Sequence, residues 1–238
     1  MPIEIDGNGK WSYLCSPFDT LKIAEGIIAL PNVDFAGLMT SLPSHTRSSH
    51  LLETLSQFEA AGIPVPIVSG GSARYAFQTH EVPQMTELCA GAYVLYDLAH
   101  VCWNVCTPTD CALTILTSVV STPSENLVIL DAGAQTLTKT HLAAIDSLPA
   151  PSPSLGGGGL GERVGVIKDH SNAILSSLAW EYGHLNTEKS SHQFTVGEKV
   201  RLIPVDSKAT IGVNKTFAFI RDNRVLEILP ILPDGESQ

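Results

Sequence analysis

Short apolar runs alternate with amphipathic helical stretches through the first hundred residues, and this alternation limits the possible folds more than any other feature of the chain. Repetition of that kind is the pattern of βα units around a parallel sheet. Ile3 to Ile5 reads as a strand, and Phe18 to Leu30 as a helix stopped by Pro31. Val33 to Met39 is a second strand. Ser49 to Ala61 reads as a helix with Leu51, Leu52, Leu55 and Phe58 on one face and Gly62 suited to its C-terminal cap. Pro64 to Ser69 is a third strand running into Gly70, Gly71 and Ser72, and Ala92 to Asp97 a fourth. Past about residue 100 the pattern changes. Leu113 to Val120, Leu127 to Leu130, Val164 to Ile167, Ala173 to Ala179, Lys199 to Ile203, Thr216 to Ile220 and Arg224 to Leu229 read as strands, with turn residues and few helical periods between them. Asp222-Asn223 is a tight hairpin signal. The expected architecture is an α/β fold: a partial (β/α)8-type barrel over 1–100, then a β-rich C-terminal domain over 101–238.

Composition narrows the partners. The chain has 238 residues, 44% hydrophobic and 16% charged, enough to bury a core. A net charge of -10, from 24 acidic against 14 basic residues, repels phosphate backbones and anionic lipids, which argues against nucleic acid and membrane surfaces. No apolar run reaches the roughly 18 to 20 residues that span a bilayer, and Met1 to Asp6 lacks a signal peptide's basic head and apolar body. A cytoplasmic home is the expectation. Five cysteines, Cys15, Cys89, Cys102, Cys106 and Cys111, form no CxxC pair and read as reduced, buried thiols. Cys102 and Cys106, four apart near His100, would clasp a soft metal on a helix, but a zinc site wants three or four ligands and no partner pair is visible. Pro149 to Ser154 followed by Gly156 to Gly159 reads as a surface loop, and Gly156 to Gly161 lacks the Lys-Ser/Thr pair of a P-loop.

Val68-Ser69-Gly70-Gly71-Ser72 is the better phosphate candidate, because its glycines end a buried strand and leave main-chain N–H groups free to meet an anion. A tight βα turn without a ligand is the alternative. Tyr93, at an apolar strand position after Gly91, reads as a packed aromatic or a ligand-facing one. His45, Arg47 and His50 share a loop that would lie at the C-terminal face of the barrel.

Two of these segments, taken in order, resemble motifs of the D-serine dehydratase and D-threonine aldolase family: a V-S-G-G-(S/T) turn, then Thr86-Glu87-Leu88 with Gly91, Tyr93 and Asp97. Further along, Leu130-Asp131-Ala132-Gly133 is similar to the family's L-D-A-G. Glu181-Tyr182-Gly183-His184-Leu185 is similar to E-H-G-H-L, and Gly197 to Pro204 to a G-D-x-V-x-x-I-P strand. The resemblance implies a fold-type III enzyme with an alanine racemase-like barrel and a C-terminal β-domain, acting on D-hydroxy amino acids as a lyase. Its cofactor would be pyridoxal phosphate, with Ser69, Gly70, Gly71, Ser72 and Tyr93 at the cofactor, and a head-to-tail homodimer is implied. In the family the Schiff-base lysine lies on the first barrel strand, upstream of the point that matches Ile3 to Asp6. The expectation is therefore an N-terminally truncated chain, inactive alone. None of its lysines lies in an apolar strand that would desolvate an ammonium. The family's zinc pair follows the I-P strand, where this sequence has Asp206 and Lys208. Asp206 retains an oxygen ligand, but a protonated Lys208 cannot coordinate zinc, so loss of the metal is expected. Tyr182 replaces the first histidine of E-H-G-H, and Tyr is a poor base near neutral pH. Three readings stay open: part of a working lyase, a degenerate homologue that binds pyridoxal phosphate or a partner without turnover, and an interaction module built on the β-rich domain.

Overall fold

The computed structural model describes residues 2–5, 16–40, 48–138 and 163–232. The chain folds as two compact units, Met1–Tyr93 and Val94–Gln238.

In the first unit, β1 (Pro2–Glu4), β2 (Gly37–Thr40), β3 (Ile67–Gly70) and β4 (Glu87–Leu88) form a parallel sheet in sequence order. Between them run α1 (Pro17–Ile28) and α2 (Ser48–Ala60). Helix α1 starts where its sequence dictates: Ser16 Oγ accepts the Asp19 N–H at 3.1 Å and Pro17 takes the first turn, where a missing N–H costs nothing. Its Ala24 and Ile27 pack with Leu38, Val68, Leu51 and Phe58 in the core, and Phe35 stacks on Phe58 at 5.6 Å. Leu52 is exposed instead, being about 100° around the helix from Leu51. The described strands form an open four-stranded sheet, not a closed (β/α)8 barrel. Nor is Ala92 to Asp97 the fourth strand. That strand is Glu87–Leu88, and Ala92–Val94 is a 3-10 turn. The chain bends again at Tyr96, whose φ is +51°, before Asp97 caps the next helix.

The second unit opens with α3 (Leu98–Cys102). Six strands then close into an antiparallel barrel in the order β10-β5-β6-β9-β8-β7: β5 (Ile115–Ser124), β6 (Leu127–Leu130), β7 (Gly165–Ile167), β8 (His170–Leu178), β9 (Gly183–Asn186) and β10 (Lys199–Pro204). β10 closes the ring by pairing with β5 on one side and β7 on the other. Its interior is packed with leucines, among them Leu130, Leu137, Leu175, Leu185 and Leu202. After α4 (Ser207–Gly212) the chain ends its described part in a hairpin of β11 (Thr216–Arg221) and β12 (Arg224–Pro230). Asp222 and Asn223 turn it with φ of +49° and +59°, the double left-handed conformation that a two-residue hairpin requires. Among the described residues no helix is long and apolar enough to cross a membrane.

Gly133 explains one of the motifs. A Cβ there would lie 2.5 Å from main-chain atoms of Trp180, Glu181 and Tyr182, and backbone cannot swing aside as a side-chain tip can. The segment is held in place by Ala134 N donating to Ala179 O at 2.9 Å. Gly133→Ala is therefore expected to lower the unfolding free energy by roughly 1–3 kcal/mol, read from urea denaturation followed by tryptophan fluorescence; an unchanged midpoint would contradict this packing.

Candidate functional site

The turn after β3 is built by strand pairing on both sides. Gly70 lies opposite Thr40 of β2 and Leu88 of β4, and its carbonyl accepts the Cys89 N–H at 2.7 Å. Thr86 fastens the neighbouring segment: its Oγ1 accepts the Val68 N–H at 2.9 Å and its N–H donates to Val68 O at 2.9 Å. Glycine is required at 71 by its backbone conformation, and a side chain at 70 would have to displace Met85. A Cβ on Gly70 would meet Met85 Cε at 2.5 Å; one on Gly71, already at φ +87°, would meet Leu88 Cδ1 at 2.7 Å and Thr79 Oγ1 at 2.9 Å. The chain then turns through Ser72, whose carbonyl accepts the Tyr75 N–H at 2.9 Å. Beyond the pairing of Gly70 with Thr40, which takes up the Gly71 N–H, the main-chain N–H groups of Ser72 and Ala73 find no acceptor among the described residues. A left-handed residue followed by consecutive free N–H groups at the C-terminal end of a strand forms a concavity suited to an anion.

Of the other residues singled out in this unit, Ser69 and Ser72 are half-buried, while Tyr93 is 52% exposed on the 3-10 turn and not packed in a core. His50 sits in the first turn of α2, its Nε2 buried and without a hydrogen bond among the described residues. His45, Arg47 and the run Gly156 to Gly161 lie outside the described residues.

The polar residues of the second unit are largely engaged in holding it together. Asp97 is buried, and its Oδ1 accepts both the His100 N–H at 3.2 Å and His100 Nδ1 at 2.6 Å. Its Oδ2 accepts the Ser207 N–H at 2.9 Å, so one carboxylate caps α3 and anchors the start of α4. The His100 ring lies between Tyr96, at 5.4 Å, and Trp103, at 5.2 Å. Nothing in the sequence pairs residues 97 and 207; the cue was the i, i+3 spacing of Asp97 and His100. Cys102 ends α3, whereas Cys106 lies beyond it, so the two are not on successive turns of one helix. Asp206 Oδ1 is occupied as the N-cap of α4, accepting the Ala209 N–H at 2.9 Å, and Lys208 is exposed. Among the described residues no three His, Cys, Asp or Glu side chains are gathered as a metal would need. His184 Nδ1 lies 3.0 Å from Ser177 Oγ, with the Tyr182 ring edge-on to it at 5.4 Å.

Asp131, of the L-D-A-G motif, bridges the barrel: its Oδ1 accepts the Thr117 hydroxyl at 2.6 Å and the Ser118 N–H at 2.7 Å. Partial burial works to raise its pKa, but these donors outweigh that and hold it below the ordinary carboxylate value. Across β5 from Asp131, Glu198 is held low in the same way: burial raises it, and the Thr195 N–H and His192 more than offset the rise.

The two units compare well with known structures. D-threo-3-hydroxyaspartate dehydratase from Delftia sp. HT23 superposes on 97% of the chain with a TM-score of 0.74 at 21% identity. An alanine racemase from Clostridium difficile 630 covers 96% at 0.55 and 10% identity. These likenesses show a fold shared with those two structures. In sequence, residues 112–213 match the serine dehydratase domain model. The Delftia dehydratase is 26% identical over 87% of this chain and 59% of its own length, and the D-threonine aldolase of Arthrobacter sp. is 24% identical over 99% of this chain and 61% of its own. The chain is thus similar in sequence to a D-threo-3-hydroxyaspartate dehydratase and a D-threonine aldolase, the resemblance that its ordered motifs imply, and it spans about three fifths of the length of the curated relatives it matches.

Two tests follow from the second unit. A folded carboxyl held below its unfolded value adds stability that is complete above the unfolded pKa and is lost as pH falls through the folded one. The stability advantage of the parent chain over Asp131→Asn should therefore be constant from pH 7 to about 5 and shrink below about 4, as measured by urea titrations across that range. Asp97→Ala strands the Ser207 and His100 donors in the interior and is expected to cost about 2–4 kcal/mol in the same assay.

Proposed function

We propose that the chain is the cofactor-phosphate and β-domain portion of a pyridoxal-phosphate lyase acting on D-hydroxy amino acids. The observation that carries this reading is the pair of free N–H groups at Ser72 and Ala73 that follows the left-handed Gly71. They fit a phosphate: glycine at 71 lets the main chain adopt φ +87°, and the partly exposed Ser72 adds a hydroxyl beside them. The parallel strand order in the first unit supports reading it as an arc of a (β/α)8 barrel, whose ligands bind at the C-terminal ends of the strands. When bound, pyridoxal phosphate supplies a ring that draws electrons from the Cα bond being broken. The chain's own part is to grip the phosphate through the N–H groups of Ser72 and Ala73, with Ser69 and the exposed Tyr93 phenol as candidate contacts to the rest of the cofactor. No step is assigned to zinc, because Asp206 is spent on the α4 cap and Lys208 offers only donors. A cytoplasmic homodimer without nucleic-acid or membrane partners completes the proposal.

A second reading, cofactor or partner binding without turnover, is favoured by one observation. Among the described residues of the first unit the lysine is Lys22, exposed on α1 with its Nζ 4.3 Å over the Phe18 ring. Titration with pyridoxal phosphate and with pyridoxal, followed by fluorescence, tests the shared claim. Ser72→Asp sets a carboxylate against the phosphate and is expected to weaken pyridoxal phosphate at least about tenfold, leaving pyridoxal unchanged. Equal effects on the two ligands would overturn the phosphate assignment. Borohydride trapping then separates the readings: a lysine adduct supports the lyase, and its absence with binding intact supports the non-catalytic homologue.

A further inference from the structure

Cys106 and Cys111 flank the tight turn between α3 and β5. Thr107 and Asp110 fix that turn: the Thr107 N–H and hydroxyl donate to Asp110 Oδ2 at 2.7 and 2.6 Å, and the Asp110 N–H returns to Thr107 O at 3.0 Å. The chain is folded back so sharply that the Cys111 thiol donates to Thr107 O at 3.8 Å, and Cys106 packs against the same core that holds Cys111. Both sulfurs are free thiols. Cys111 is buried in a core with Leu98, Val101 and Ile203, whereas Cys106 is half-exposed at its edge. On the far side Lys168 Nζ donates to Cys111 O at 3.3 Å. The neighbouring Cys106 sulfur, with burial second, pushes the Cys111 thiol up, so Cys111 holds its proton at neutral pH. An oxidant from solvent therefore reaches Cys106 first.

We propose that Cys106 and Cys111 form a redox modification site that closes to a disulfide when the protein meets hydrogen peroxide. Peroxide transfers one oxygen to Cys106 Sγ as its O–O bond breaks, giving a sulfenic acid and water. Cys111 Sγ then attacks Cys106 Sγ; the S–S bond forms, the S–O bond breaks, and the Cys111 proton leaves with the hydroxide as a second water. The sum is two thiols oxidised, one peroxide reduced, and two waters formed. A dithiol reductant reverses it. Closure would pin the turn to the core that holds α3 and β10, and it is independent of any cofactor. Cys102 is a poor rival, being fully buried in α3 with its thiol pushed up by that burial.

The test uses the full chain treated with a small excess of hydrogen peroxide, then alkylated with N-ethylmaleimide and cleaved before aspartate. Cleavage before Asp110 separates the two cysteines, so a disulfide appears as a linked pair of peptides about 2 Da lighter than the sum of the free thiols. The expected result is one dithiothreitol-sensitive link, retained in Cys102→Ser and Cys89→Ser and abolished in Cys106→Ser. Fragment ions of the parent chain's linked pair place the bond at Cys106 or Cys102 without any variant, which covers the case of a misfolded mutant. A link that persists in Cys106→Ser, or oxidation confined to Cys89, would sink the proposal.

Discussion

A carboxylate withdrawn from water organises the second unit. Asp97 has left solvent, and burying a charge is costly unless every lone pair is used. Here the backbone and ring of His100 take one oxygen, and the backbone of Ser207 takes the other. One side chain thereby joins the helix before the barrel to the helix after it, and β10, which ends at Pro204, arrives beside β7 already constrained. Asp131 does the same on a smaller scale between β5 and the end of β6. Residues that look like chemistry in a motif thus serve, in this chain, to hold strands in register.

Much of the second unit was legible in the sequence because its strands are apolar and β-branched and its turns are explicit. Leu127–Leu130 and the Asp222-Asn223 hairpin were readable almost to the residue. Closure of six strands into a ring was not, because it depends on β10 pairing with β5 and β7, segments far apart in sequence whose register leaves no local mark. The short β9 escaped notice because Gly183–Asn186 carries one strongly apolar residue. In the first unit the amphipathic helices were plain, but the fourth strand was displaced: Tyr93 to Tyr96 has strand-like composition, while local turns at Ala92–Val94 and the left-handed Tyr96 take the backbone elsewhere.

The candidate site was half legible. Two glycines after a buried strand pointed to Gly70 and Gly71, yet composition alone does not tell whether glycine is there for a ligand or for a neighbour. The structure shows the neighbours, Met85 against Gly70 and Leu88 and Thr79 against Gly71, and leaves the N–H groups of Ser72 and Ala73 without acceptors among the described residues. The Asp206 carboxylate shows the converse, a residue type suited to a metal whose oxygen is already committed to a helix end.

The way the barrel closes also orders its folding. β11 and β12 meet across two residues, a local contact of the kind that forms within about microseconds. The ring, in contrast, is sealed when Lys199 finds Ser118, after the intervening chain has been searched, and such distant pairing is the slow step in β-rich domains. The last strands of the chain thus mature early while the barrel ahead of them is still open, and the Arg201 guanidinium of β10, bonded to Asn223 at 2.7 Å, is the clasp that joins the early piece to the late one.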